Sequence, residues 1–185
     1  MNISLAQLSA FGWEVFRQAG LSQADAATAT DALLAADSWG IHTHGLKNLS
    51  GYVKRLKAGG INPLGQAWVA AEGPAWARVD GDASLGMIGS TFAMRQAIRK
   101  AEASGIGFAG LRNSCHFGAA GCYATLAADE GMIGIAMCND TPTVTVPGAR
   151  GPVLGSNPIA YAVPAGEQLV LLDIATSTVA GGKVF

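Results

Sequence analysis

The sequence predicts an α/β fold, in which an N-terminal helical portion (residues 1–64) leads into an α/β portion (residues 65–185) whose mixed sheet is covered by helices. Three observations predict it. Apolar residues recur at helical spacing up to about residue 63 and then give way to short apolar runs bounded by glycine and proline. Between residues 106 and 138 the chain reads strand, loop, helix, strand, the order of an α/β unit. Half of the residues are apolar and only 14% are charged, so much of the surface of this 185-residue chain is meant to be covered.

The elements follow in order. Ser4 and Gln7 have capping-box spacing, and Leu5, Leu8, Phe11, Trp13 and Phe16 continue as a helix until Gly20 stops it. A second helix starts at Ser22, with Asp25 in its first turn where a carboxylate suits the helix dipole, and runs to about Asp37. The break Trp39-Gly40-Ile41-His42-Thr43-His44-Gly45 precedes a third helix, whose Leu46, Leu49, Val53 and Leu56 share one face and whose end is marked by Gly59, Gly60 and Pro63. A hairpin is expected over residues 67–71 and 75–79, separated by Gly73-Pro74 and followed by the turn signal Asp80-Gly81-Asp82. A long amphipathic helix over about residues 86–103 reaches Gly105. Then come a strand at 106–111, a loop at 113–118, a helix at 119–130 and a strand at 132–138. An irregular stretch rich in Thr, Pro and Gly leads to apolar segments at 159–163 and 169–173.

Composition excludes several function classes. Twelve basic against 13 acidic residues, a net charge of −1 and a pI near 6.3 give no electrostatic footprint for a phosphate backbone, so no nucleic-acid partner is expected. Clean apolar runs are strand-sized, well short of the roughly 20 residues that span a bilayer, so no membrane partner is expected either. No basic side chain precedes Arg17 and no apolar segment leads to a cleavage motif; a cytoplasmic protein is the expectation. Cys115, Cys122 and Cys138 form neither an even set nor a CxxC pair and read as reduced, mostly buried thiols.

Residues 105–110 match GxGxxG, but these glycines follow a helix and run into a strand, the reverse of a dinucleotide fingerprint. Gly181-Gly182-Lys183 lacks the upstream glycine of a P-loop. His42 and His44 sit at a helix entrance, where an imidazole serves either as an acid–base group or as a solvent-exposed cap. His116 lies in the loop between a strand and a helix, the position where α/β units collect ligands, with Asn113 near enough in sequence to orient it. His42, His44, Cys115 and His116 are zinc-type ligands without the spacing of a familiar zinc motif, so no metal is assigned. Cys115 beside His116 is a weak nucleophile pair, since neighbours on an extended backbone face opposite sides. Asp173, ending an apolar strand before Thr176 and Ser177, suits either the hydroxyls of a ligand's sugar or a helix N-cap.

Five segments in order resemble the malate/L-lactate dehydrogenase family of nicotinamide-dependent oxidoreductases, whose fold is not the Rossmann fold. They are Thr43-His44-Gly45, Lys57-Ala58-Gly59-Gly60-Ile61-Asn62-Pro63, Arg112-Asn113-Ser114-Cys115-His116-Phe117-Gly118-Ala119, Gly155-Ser156-Asn157-Pro158 and Leu172-Asp173-Ile174-Ala175-Thr176-Ser177. The resemblance spans nearly the whole chain, which looks like the N-terminal part of a longer enzyme. It implies hydride transfer between NAD or NADP and a small 2-hydroxy or 2-oxo acid, and a homodimer at full length. By resemblance, His116 and His44 are the proton donor or acceptor, with His116 favoured. Thr43 stands where a serine is common, and Asn48 stands where many members carry an arginine that clamps the substrate carboxylate. The stretches Asn139-Asp140-Thr141 and Asp173-Ile174-Ala175 match segments that contact the dinucleotide. The alternative reading is a truncated, non-catalytic member acting only as a scaffold or interaction domain.

Overall fold

The computed structural model describes residues 3–179 and Lys183; the Gly181-Gly182 pair lies outside the described residues. The chain groups into two compact units, residues 1–119 and 120–185.

The first unit opens with α1 (Leu5–Gln18) and α2 (Gln23–Ser38). Ser4 and Gln7 form the capping box reciprocally, and the Ser22 hydroxyl accepts the Asp25 N–H, so both starts are where the side chains place them. α1 packs on α2 and on α3 (Leu49–Lys57), and Phe16, Leu21, Leu33, Leu49 and Leu56 in this helical portion are all buried. β1 (Trp68–Gly73) and β2 (Trp76–Asp80) form the expected hairpin, with a register shift between Val69 and Ala71. α4 (Gly86–Ser104) then carries the chain back so that β3 (Phe108–Arg112) lies parallel to β2. This sheet is therefore mixed, in the order β1-β2-β3. Ala77, Val79 and Ala93 form its core against α4, with Val69, Phe92 and Leu111 packed around them.

The apparent GxGxxG motif is packing and capping. Gly105 ends α4 in the left-handed conformation at φ +79°, and a Cβ at Gly107 would collide with the Ala97 carbonyl of α4.

The second unit contains α5 (Gly121–Asp129) and an antiparallel sheet of β4 (Gly134–Met137), β5 (Ile159–Ala165) and β6 (Gln168–Ile174). The α/β class and the helix-covered mixed sheet are borne out, but the strands divide over two sheets. The strand–loop–helix–strand reading of residues 106–138 changes accordingly: β3 and β4 belong to different sheets, and the true crossover unit is β2-α4-β3. Small residues let α5 lie close on its sheet. Ala136, Ala160 and Ala162 are buried on the covered face, and a Cβ at Gly134 would meet the Ala124 carbonyl. The alternate positions Ile135, Met137, Tyr161, Val163, Leu172 and Ile174 are exposed, Met137 at 64%. Among the described residues, no helix is long and apolar enough to cross a membrane.

Candidate active site

The first histidine cluster is built by the turn between α2 and α3, which passes through two single 3-10 turns, His42–His44 and Leu46–Asn48. Asp37 organises it. Its carboxylate sits in the last turn of α2, where the helix dipole disfavours it, and is compensated by hydrogen bonds from the Leu46 N–H at 2.8 Å and from His42 Nδ1 at 3.1 Å. Gly45 is buried, and a Cβ there would fall on the Asp37 carboxylate, so the turn closes only around glycine. Asn48 Nδ2 donates to the Thr43 carbonyl at 2.8 Å, and Thr43 Oγ1 lies 2.9 Å from His44 Nδ1. Thr43, His44 and Asn48 are half-buried; the His42 side chain is 74% exposed and faces Asp37.

The second histidine comes from the loop after β3. Asn113, at φ +52°, donates to Asp80 Oδ1 at 2.9 Å, and Arg112 pairs with Asp80 Oδ2 at 3.0 Å. The Asn113 hydrogen bond, followed by that from the Asp82 N–H, holds the Asp80 carboxyl below the usual carboxylate range. Asn113 thus fixes the start of the loop at Asp80. His116 finds another partner: the Tyr52 hydroxyl lies 2.5 Å from its Nδ1. The loop backbone is pressed onto the start of α4, where a Cβ at Gly86 would collide with the carbonyls of Cys115 and His116. Gly118, at φ +79°, turns the chain out of the loop.

These constraints bring His44 and His116 together. Their rings stack with centroids 5.6 Å apart and an interplanar angle of 21°, and Tyr52 tilts against His116 at 5.9 Å. Tyr52 is only 4% exposed, and burial first, then the neighbouring Cys115, pushes its phenol well above the usual tyrosine value against a smaller opposing effect of Arg55. It is a neutral hydroxyl at physiological pH. Burial also pushes the Cys115 thiol up, which leaves no thiolate for nucleophilic attack near neutrality. Among the described residues, no group of three or more His, Cys, Asp or Glu side chains is arranged to hold a metal ion.

Tyr52 and Asp37 were absent from the candidates the sequence supplied. Tyr52 carries a legible signal, since it falls one turn from Leu49 and from Leu56 and so points into the helical core, where a hydroxyl needs a partner.

In the second unit, the candidate cofactor residues gather at one end of the antiparallel sheet. β4 ends into Asn139-Asp140-Thr141, all exposed. Asp140 accepts the Thr141 N–H at 2.7 Å and the Ser156 hydroxyl at 2.9 Å, while its own N–H donates to Asn157 Oδ1 at 2.9 Å. A Cβ at Gly155 would strike the Asp140 carbonyl. Thr176, just beyond β6, ties the same knot through its N–H and hydroxyl, both 2.9 Å from the Ser156 carbonyl. Asp173 is used at a helix start, where Oδ2 accepts the Gly121 N–H of α5 at 2.7 Å. Ile174 is exposed and Ala175 half-buried beside it. Burial, with Asp173 adding to it, pushes the Cys122 thiol up to about 12; burial with Asp140 pushes Cys138 up to about 11.

Comparison with known proteins places these features in a family. The malate/L-lactate dehydrogenase family model matches residues 3–185, and the chain belongs to that family. It is 43% identical over 184 residues to a malate dehydrogenase of Pyrococcus abyssi, covering 100% of this chain and 51% of the relative. It is 38% identical over 171 residues to an L-sulfolactate dehydrogenase of Methanocaldococcus jannaschii, covering 92% of this chain and 50% of the relative. The structure of malate dehydrogenase from Pyrococcus horikoshii superimposes with a TM-score of 0.97 at 41% identity, covering 100% of this chain and 53% of that one. The chain spans about half the length of the curated relatives it matches. The resemblance read from the five motifs is borne out.

Proposed function

We propose that this protein is a cytoplasmic NAD(P)-dependent oxidoreductase that interconverts a small 2-hydroxy acid and its 2-oxo acid, as a homodimer at the full length of its relatives. The observation that carries this reading is the stacked His44–His116 pair. Oxidising a secondary alcohol releases a hydride and a proton, and the proton goes to a base whose pKa lies near the working pH, the ordinary range of imidazole. His116 is that acid–base group, and His44 lines the same pocket. Thr43 and Asn48, tied together across the turn, offer a hydroxyl and an amide to the substrate. Asn48 cannot make the bidentate charged clamp of an arginine, so the substrate carboxylate is met by hydrogen bonding or by a cation from elsewhere.

The nicotinamide cofactor, when bound, supplies the hydride acceptor or donor. The residues of the second unit fit it chemically: the exposed Asp140 carboxylate, the Thr141 and Thr176 hydroxyls and the exposed Asn139 amide suit sugar hydroxyls and a carboxamide. Asn139, Asp140, Thr141, Asp173, Ile174 and Ala175 are therefore assigned to cofactor binding, Asp173 by fixing the start of α5 beside its strand. That the named relatives act on malate and sulfolactate supports an acid substrate bearing a second anionic group.

The test is a titration of this chain, and of any longer form that contains it, with NADH and NADPH followed by nicotinamide fluorescence, with 2-oxo acids screened by loss of nicotinamide absorbance. Saturable binding with turnover of a 2-oxo acid is the expected result. A folded protein that binds neither nucleotide in either form overturns the proposal.

A further inference from the structure

We propose that Tyr52 is a positioning residue, whose oxygen accepts the Nδ1–H of His116 and so assigns proton exchange with the substrate to Nε2. The role in turnover rests on the acid–base reading of His116 given above; the tautomer itself does not.

The contact joins an exposed group to a buried one. His116 is exposed, in a loop without regular structure, whereas Tyr52 is buried on α3, its ring held 6.5 Å from that of Phe16. The partners are 64 residues apart, so the contact exists only in the folded chain. The loop backbone is already seated at Gly86 and at Asp80, and the hydrogen bond to Nδ1 adds to the stacked His44 ring in restraining rotation of the imidazole.

Proton balance decides which partner donates. If the phenol donated to Nδ1, neutral His116 would carry its proton on Nε2. Releasing that proton to a carbonyl oxygen would then leave an imidazolate, or would require Tyr52 to pass its own proton on and become a phenolate. Burial opposes a phenolate at Tyr52. With Nδ1–H donating to the tyrosine oxygen, the ring alternates between neutral and imidazolium at Nε2 alone. In the oxidation direction the substrate O–H bond breaks, an Nε2–H bond forms, and the C=O bond forms as the hydride departs to the nicotinamide. Nδ1 keeps its proton throughout, and one hydrogen bond serves both states.

The experiment is long-range ¹H–¹⁵N correlation of histidine-labelled chain above the imidazole titration, with His116 assigned by its loss in His116→Ala, in the wild type and in Tyr52→Phe. The phenylalanine keeps the ring that packs on Phe16 and removes only the hydroxyl. The wild type is expected to show neutral His116 protonated at Nδ1, and Tyr52→Phe to shift it toward the Nε2–H form that free imidazole side chains favour, with the other backbone resonances unmoved. A wild-type His116 protonated at Nε2, or a tautomer unaltered by Tyr52→Phe, overturns the inference. In a form that turns over, Tyr52→Phe is also expected to lower kcat about tenfold, the worth of one neutral hydrogen bond, with KM little changed. A protein that reduces no 2-oxo acid but shows the tautomer shift defeats the functional reading and leaves the Tyr52–His116 assignment standing. Turnover without the shift does the reverse.

Discussion

His116→Ala is expected to lower kcat about 10²- to 10⁴-fold, the usual contribution of a positioned acid–base group, in whichever form of the protein turns over. Cofactor affinity should hardly change, because the candidate nucleotide-binding residues belong to the second sheet and its turns. The substitution should keep the fold, since His116 is exposed and its loop backbone is seated against Gly86, at the modest cost of taking the Tyr52 hydroxyl's partner away. His44→Ala should cost less if His116 is the principal base, since His44 then contributes through the stacked ring pair and the pocket wall. The check is kcat and KM for each variant together with nucleotide titrations. A kcat within a few-fold of wild type in His116→Ala removes His116 from the proton-transfer role.

The second large effect concerns the turn that holds His44. Gly45→Ala should destabilise the first unit by about 1–3 kcal/mol, because the new methyl group occupies the space of the Asp37 carboxylate and forces it off the Leu46 N–H. Asp37→Ala should cost a comparable amount, leaving the Leu46 N–H without its acceptor. The double variant distinguishes a clash with the Asp37 carboxylate from a general intolerance of change. Once Asp37 is alanine there is room for the methyl, so the Gly45→Ala cost should largely disappear in that background. Urea denaturation of the four proteins measures the coupling; strictly additive costs would contradict it.

How much of this was written in the chain varies with the distance over which each feature is settled. α1 and α2 begin where Ser4 and Ser22 cap them, and α4 ends at Gly105, because capping is decided within a few residues. The His116 loop is legible from its position after a strand, and the strand, loop, helix, strand order holds, although β3 and β4 belong to different sheets. Loop position follows from the local run of β3, whereas sheet membership depends on β2 and on β5, remote in sequence. The partners of the candidate side chains are hidden for the same reason. Asn113 was the near candidate to orient His116, yet its amide goes to Asp80, 33 residues away, and Tyr52 supplies the contact from 64 residues away. Asp173 left two uses open, and the helix-start bond to Gly121 became visible only when α5 packed on its sheet. Asp37 read as an ordinary end of α2, since nothing local shows that its carboxylate closes the turn ahead.

The proposed function, hydride transfer between a nicotinamide and the second carbon of a small acid with a histidine carrying the proton, is open to a direct isotope test. The most direct measurement supplies NADH or NADPH deuterated at the transferring carbon, with malate-type and lactate-type 2-oxo acids in turn, and follows the product by NMR. The expected product is a 2-hydroxy acid carrying one deuterium at C2, formed in step with nicotinamide oxidation. A product whose C2 hydrogen comes from solvent, or oxidation of the nicotinamide without reduction of the acid, would contradict it.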